Sequence, residues 1–585
     1  MNLIEELQRL GLTVDSAETD VAVVGGGGAA TRAALSASLA GARVLMLAKA
    51  PLGQGGSTVH GASEIMSMGA SGYGDRDDSA DVHYRDTMAA ANGFIDPQLV
   101  RVLAEDAPQR IRDLIDYGVA FDAVSAAVKE TIPDQAYKLI QSDFGSFPRA
   151  LGVSGKTGKA FVTALADQAI ARGVVVCAPV GLVDLLFDSQ GHACGVLGYD
   201  AKNDRWLVVS AKTVVLGTGG AHGLFTQQVS TAEMTGDGQA ICWRAGAELV
   251  NMEFHQFGPA LLHPYVQLFS KSCFVLHPKL RNALGEEFLP KYLPAGVSEE
   301  EVMDEKVFPF TITNVSRYLD IAIDRELAEG RGNERGTVLM SFKGIPEERL
   351  AATIPHTLRW MRANGVDPLK DDLNLGIAFQ CLNGGVRMID DGARSTLPGI
   401  HVIGELAGGV RGPDRPGGNS LAEGQVFGHR AGDAAARDAR AKGAAGAPVS
   451  DAVLERLRTA LTANRDFDPA RFAERLRDAM QRNALVEKSA AGLSEALAVA
   501  DDIERRFAAG GDATPATINE ALTVQNMATT ARIILEACLH RTESRSGHYR
   551  TDYPERDDAH FDHAVMLKRA GDRAVFSPLA YPRDD

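Results

Sequence analysis

The stretch TDVAVVGGGGAATRAALSASLAGARVLMLAK, residues 19–49, decides the fold. TDVAVV is a buried-strand run, GGGGAA a glycine turn, TRAALSASLAGA a helix rich in small residues, and RVLMLAK a second strand. The alternation predicts a βαβ unit. Gly25, Gly27 and Ala30 fit G-x-G-x-x-G/A directly after the first strand. There the first glycine permits the turn, the second lets backbone N–H groups reach a pyrophosphate, and the small third residue allows close helix packing. The helix N-terminus then carries the anion. The second strand ends in Leu47-Ala48-Lys49, without the acid that would hold an adenosine ribose, which argues against NAD.

Outward from this unit, VDLLF, CGVLGY and RWLVV are separated by turn-forming DSQGH and DAKND before KTVVLGTGGA, which reads as a meander returning to the sheet. From residue 251 to 365 the glycine runs stop, Pro and aromatic residues rise, and NVSRYLDIAIDRELAEG reads as a helix, which marks an inserted domain. The glycine pattern returns in LNGG, GIHVIGELAGG and RPGGNSL. Past the small-residue linker ARDARAKGAAGAPVSD, residues 452–508 and 516–540 carry helix-period apolar residues, as in a bundle, and the tail TDYPERDDAHFDH reads as polar surface. The expected divisions are 1–250 and 366–440 for a bipartite nucleotide-binding domain, 251–365 for the insertion and 441–585 for a C-terminal helical domain and tail.

At 585 residues, with 45% hydrophobic and 23% charged, the chain is long enough for several domains and has a globular composition. A formal charge of −16 argues against a nucleic-acid or anionic-membrane binder. Six cysteines lie far apart with no C-x-x-C pair, so neither a metal site nor a bound iron–sulfur cluster is suggested, and they read as reduced core thiols. MNLIEELQRL lacks the basic end and apolar run of a signal peptide, and no apolar stretch approaches the ~20 residues of a membrane span. A cytoplasmic protein is expected.

Read in order, VVGGGGAATRAAL, LAKAPLGQGGSTVHGA, TVVLGTGGA, TGDGQAICWRAGAEL, NMEFHQFGP, GIHVIGELAGG, RGPDRPGGNSLAEGQVFGHRAG and RTESRSGHYRTDYPERDD resemble the succinate dehydrogenase/fumarate reductase flavoprotein family, with L-aspartate oxidase and adenylylsulfate reductase. The likeness extends over nearly the whole chain, as a divergent member. It implies an α/β fold with a bipartite Rossmann-like FAD-binding domain, an inserted α+β capping domain and a C-terminal helical domain. It also implies FAD held by Gly25, Gly27, Gly28, Ala30, Ala48, Lys49, Gly55, Gly56, Ser57, Thr58, Val180, Thr218, Gly219, Asp237, Glu405, Arg415, Asn419, Ser420 and Leu421. Ser420 and Leu421 would begin a helix whose positive end favours a negative flavin N1/O2 edge. Members that bind FAD covalently use a His where this chain has Gly56 or Ser57, so non-covalent FAD is implied; nearby His60 reads as a polar wall residue.

The dicarboxylate-binding members clamp substrate with two His and two Arg, and only part of that set survives. The clamp His of M-E-F-x-Q-F-H-P is Gly258, with His255 earlier in the segment; the His of H-x-x-x-G-G is Gln380; and the proton-passing Arg of G-E-R-F is Glu287. Arg415 is the retained arginine, either gripping a substrate oxygen or held in a structural ion pair, and Arg411 stands for a family His and would restore a positive charge. Glu287 is either a desolvated pocket acid or base, or a solvated surface acid. His263 and His277 are further proton-handling candidates, each with an ordinary core or surface alternative. Losing up to three cations disfavours succinate, fumarate and aspartate, because a buried dianion needs pairing.

The expected function is hydride transfer between a small carboxylate or carbonyl compound and flavin N5. One alternative is an L-aspartate-oxidase-like amine oxidase. Another is a flavoprotein subunit that docks an iron–sulfur electron-transfer partner, and a third is a flavin binder without catalysis. Electrons would pass to oxygen, a quinone, a nicotinamide or a separate iron–sulfur protein. The chain is compatible with an oligomer.

Overall fold

The computed structural model describes residues 3–61, 66–125, 135–571 and 573–582. The βαβ unit forms as expected: strand Val14–Val24, helix Gly28–Leu39 and strand Val44–Leu47, with the two strands parallel in the register Val21↔Val44. The first strand starts earlier than TDVAVV because residues 14–19 pair with Arg205–Leu216, one neighbour of the same strand, while their outer faces stay exposed. The seven-stranded sheet runs Val175–Cys177, Val44–Leu47, Val14–Val24, Arg205–Leu216, Ala193–Asp200 and Val180–Phe187, with Ile400–Val402 also on Arg205–Leu216. The last two strands of that path are antiparallel, which is the anticipated meander.

The second part of the domain closes this sheet with helix Asn419–Ala441. It lies against helix Gly28–Leu39 because Gly424, Gly428 and Gly432 recur every four residues on one face. A Cβ on Gly428 would stand 2.6 Å from Ala29 O, and one on Gly432 would stand 2.4 Å from Ala33 O. Only glycine allows two helix backbones so close.

The cap is a five-stranded sheet, Gln267–Leu268, His255–His263, Leu373–Leu382, Val338–Ser341 and Lys279–Arg281, with helices that include Arg317–Ala328. Its central strand, Leu373–Leu382, lies beyond residue 365, so the cap sheet extends past the division drawn from the sequence. The glycine-poor composition marks the cap's helices and loops; it does not mark this returning strand, which ends in the glycine run of the next domain.

Helices Asp451–Leu461, Pro469–Ala484, Ala490–Ala509 and Ile518–His540 form the C-terminal bundle. The segment TDYPERDDAHFDH is mostly exposed, but the stretches on either side of it depart from a simple helical domain. The segment from Arg541 to Arg550 is almost wholly buried, with Arg541 bonded to Glu253 at 2.7 Å and to Glu543 at 2.8 Å. A hairpin then follows, Ala564–Ala570 with Arg573–Leu579, and its first strand pairs with Leu249–Val250. Ala564, Val565 and Leu567 are buried while Lys568 to Ala570 are exposed, so the buried part of the strand is only a few residues long. Five of the six free cysteines are buried. Among the described residues no helix is long and apolar enough to cross a membrane.

Candidate functional site

The strand ends, the helix starts and the cap enclose one cleft. Its floor is the glycine turn. Gly25 has φ +127°, and a Cβ there would lie 2.1 Å from Gly217 O, so the ends of two neighbouring strands pass with no room for a side chain. Ala30 is buried just below, packing against the same turn and outside the lining. Gly27 starts the helix without a side chain to cap it, and Gly28 N donates to Thr58 Oγ1 at 3.2 Å.

Three helices of eight residues or more begin at the cleft: Gly28–Leu39, Asp237–Arg244 and Asn419–Ala441. The last two follow Gly236 (φ +78°) and Gly418 (φ +91°), left-handed positions that suit glycine. Their combined N-terminal fields favour negative charge in the cleft.

Along the walls, Lys49 Nζ bonds to Asp237 Oδ2 at 2.9 Å, Thr235 Oγ1 at 3.0 Å and Glu233 O at 2.9 Å. Burial opposes charge on Asp237, but Lys49, Asn526 and Thr235 outweigh it and hold the carboxyl below its usual range. Ser57 Oγ donates to Glu405 Oε2 at 3.1 Å, and Leu382 N donates to Glu405 Oε1 at 3.0 Å. Gly55, Gly56, Val180, Thr218, Gly219, Ser420 and Leu421 complete the lining, and Thr218 Oγ1 is buried without a protein partner.

At the cap end lie Arg415, Arg411, Gln380, Cys381, Phe308, Pro309 and Asp143. The cleft's cations differ in their partners. Lys49 pairs with Asp237, and buried Arg411 pairs with buried Glu423. Arg415, also buried, bonds through Nε and Nη2 to Gln256 Oε1 and through Nη1 to Pro416 O, all neutral oxygens. Gln380 Oε1 is buried with no protein donor. Asp143 is solvent-exposed at the cleft wall and accepts from Phe308 N at 3.3 Å; desolvation by the surrounding wall raises its carboxyl despite that bond and the nearby Lys306 and Lys271.

Several expectations change. Glu287 lies outside the cleft, on a cap-edge hairpin, about half exposed and paired with Lys279 at 3.1 Å and Arg281 at 3.2 Å. These two bases hold its carboxyl below the usual range, the reverse of a desolvated acid. His255 also turns away from the cleft, into a ring cluster with Phe225, Phe257 and Phe379, where burial drives its imidazole well below the ordinary value. His263 ends the same cap strand outside the cleft lining, and His277 bonds to Asp304 on the cap surface. Arg411 restores no net charge, because Glu423 cancels it. Asn419 and Ala48 stand behind the lining: the first bonds His83 and Thr87, and the second is buried at a strand end. His60 bonds to Gln54 O at 2.8 Å away from the cleft floor.

Asp143, Phe308 and Gln256 escaped the sequence reading. QSDFGSFPRA and FPFT carry no chemical spacing, and Gln256 is one polar residue in an apolar strand; only the closure of cap on domain brings them together.

The lining suits FAD. An uncapped helix start and glycine floor would take the pyrophosphate, the unpartnered Thr218 hydroxyl and Glu405 offer polar contacts midway, and the start of helix Asn419–Ala441 faces the far end. The profile of the FAD binding domain matches residues 20–421, and that of the fumarate reductase flavoprotein C-terminal region matches 473–578. A fumarate reductase (CoM/CoB) subunit of Methanothermobacter marburgensis is 32% identical over 552 residues, covering 92% of this chain and 95% of that protein. L-aspartate oxidase of Caulobacter vibrioides is 32% identical over 544 residues, covering 92% and 93%. The structure of Mycobacterium smegmatis Sdh1 in complex with UQ1 superposes with a TM-score of 0.81 at 26% identity, over 98% of this chain and 95% of that one. Adenylylsulfate reductase from Archaeoglobus fulgidus shares the fold, with a TM-score of 0.71 at 19% identity over 98% and 97%.

Proposed function

The chain belongs to the family of FAD-dependent oxidoreductases in which an FAD binding domain is joined to a fumarate reductase flavoprotein C-terminal region, and on that premise we propose that its substrate is a small monocarboxylate or carbonyl compound. FAD, when bound, exchanges a hydride at N5 with a substrate carbon. The observation that carries the reading is Arg415: a buried cation at the cap end whose hydrogen bonds all end on neutral oxygens. Among the described residues no anionic group hydrogen-bonds this guanidinium, and nearby Glu423 is engaged directly by Arg411, so the position favours one anionic group on the ligand. Arg415 binds that group and orients the substrate. Gln256 holds the guanidinium plane, and Gln380 Oε1 accepts from a ligand donor.

A proton must accompany hydride transfer to or from carbon. Asp143 is the carboxyl of the cap end that carries a raised pKa, and it takes the role expected of Glu287. Succinate and fumarate fit poorly. Arg411 is cancelled by Glu423, leaving no second free cation in the described lining. FAD is held without a covalent bond, since Gly56 and Ser57 offer no imidazole.

The same Asp143 favours a second reading. Ionised, it would pair with a substrate ammonium, as an amine oxidase resembling the L-aspartate oxidases requires. An electron acceptor for bound FAD would be oxygen, a quinone, a nicotinamide or an iron–sulfur protein; the last would make this chain one component of a complex.

The test is direct. Acid precipitation of the purified protein should release all of its yellow chromophore, with the mass of FAD. Anaerobic bleaching near ~450 nm, the flavin band, is then screened with monocarboxylates, dicarboxylates and amines. Bleaching by monocarboxylic or carbonyl compounds is expected. Bleaching by amines with peroxide release in air selects the second reading, and flavin that stays in the pellet overturns non-covalent binding.

A further inference from the structure

Gly258 lies in the buried cap strand His255–His263, opposite Ala378. A Cβ placed on it would stand 2.4 Å from Phe308 Cε2 and 2.8 Å from Cδ2. The edge of the Phe308 ring therefore fills the space that any side chain at 258 would need. Real Cβ atoms do not approach a ring so closely, and the ring has backing on its other sides: it packs with Val229, Ala260, Leu268 and Ala378 as an apolar cluster. Its own backbone N–H is tied to Asp143 Oδ2 at 3.3 Å, across the junction of cap and FAD-binding domain.

Phe308, Pro309 and Val229 also line the cleft that holds Arg415 and Gln380. The substrate end thus has a cation on one side and hydrocarbon on the other. We propose that Phe308 determines specificity: its ring forms an apolar wall facing the Arg415 end, so the preferred ligand carries one carboxylate and ends in an uncharged, apolar portion. This rests on the carboxylate-orienting role given to Arg415 above. Apolar surface on a ligand gains by contact with the ring, whereas a second carboxylate there loses water and finds no further unpaired cation among the described lining residues.

The test uses the holoprotein and follows the perturbation of flavin absorbance by acetate, butyrate, hexanoate, succinate and adipate. In the wild type, affinity should rise about threefold to fourfold per added methylene among the monocarboxylates. Adipate should bind at least about tenfold more weakly than hexanoate. Phe308→Leu, which keeps an apolar wall, should retain the preference for hexanoate. Phe308→Gln, with its flavin content unchanged, should lose it.

Adipate binding to the wild type within threefold of hexanoate overturns the proposal, as does an unchanged preference in Phe308→Gln or no response to any of the five acids. Arg415→Ala separates the two claims. If hexanoate binds that variant as well as the wild type while Phe308→Gln still loses the preference, the role of Arg415 fails and the apolar wall stands. Should Phe308→Gln not fold, the wild-type and Phe308→Leu titrations decide the matter on their own.

Discussion

The guanidinium of Arg415 grips a single oxygen, Oε1 of Gln256, with Nε at 3.1 Å and Nη2 at 2.7 Å. The two residues come from different parts of the chain, Gln256 from the cap strand and Arg415 from the loop before helix Asn419–Ala441. The bond therefore sets the angle at which the cation meets the cleft.

Gln256→Leu should keep FAD and fold. Both hydrogen bonds from the guanidinium to the shared Oε1 are lost, at a combined cost on the order of 2 kcal/mol, so kcat/KM should fall on the order of 10- to 100-fold. Arg415→Ala should abolish bleaching by substrate and leave the yellow colour. Loss of colour in Arg415→Ala would make it a cofactor-holding residue instead.

Asp143 sets a sign for the pH profile. Desolvation by the cleft wall raises the carboxyl of this exposed residue, so the controlling pKa should lie above the ordinary ~3.9 of aspartate. If Asp143 delivers a proton to substrate during reduction, kcat/KM falls as pH rises through that value. If ionised Asp143 pairs with an ammonium, kcat/KM rises through it. Asp143→Asn should remove the limb in either case and slow turnover by roughly 10²- to 10⁴-fold, the usual range for general acid–base groups. A limb that persists in the variant would clear Asp143 of the role.

Asp414, beside Arg415, is buried; it accepts from Thr311 Oγ1 at 3.3 Å, and its Oδ1 has no partner. Burial pushes its carboxyl up to about 7. The folded state therefore holds this proton more tightly than the unfolded state, and the stability it brings is complete below the unfolded pKa. That stability is lost as pH rises from about 4 through about 7, an effect of a few kcal/mol in order of magnitude. Asp414→Asn should flatten this part of the stability curve and raise the thermal midpoint at pH ~8, measured by melting at fixed FAD concentration.

Glu287→Gln should turn over within about twofold of the wild type, since an exposed pair with Lys279 and Arg281 contributes ~0–1 kcal/mol and touches nothing in the cleft. A large loss of kcat would mean that the cap moves this residue inward during turnover.

Asp237→Ala leaves the Lys49 ammonium without its anionic partner. Lys49 is 34% exposed, so the cost should fall below the ~3–5 kcal/mol of a fully buried pair, at about 1–2 kcal/mol. The variant should melt earlier and purify with less FAD, read as the ratio of absorbance near ~450 nm to protein.

The residues nearest the nucleotide floor were legible because local conformation compels them. Gly25 takes φ +127°, a conformation that side chains rarely adopt, whereas its close approach to Gly217 O and those of Gly428 and Gly432 to another helix's backbone come from contacts distant along the chain. The substrate end was legible only in part. Arg415 lines the cleft, yet Arg411 is cancelled by Glu423, twelve residues away, and His255, one residue from Gln256, faces rings. In a strand, neighbouring side chains point to opposite faces, and residue type alone does not say which face meets the cleft.

What the chain's order of residues determined by itself was the βαβ unit, the bipartite FAD-binding domain and the loss of the family's cationic set, since these follow from backbone sterics and from which side chains exist at all. Only the tertiary structure decided that Glu287 is solvated, that Asp143 lines the cleft and that Phe308 occupies the space beside Gly258. Burial and pairing depend on contacts between segments distant along the chain, and neither spacing nor composition carries that distance.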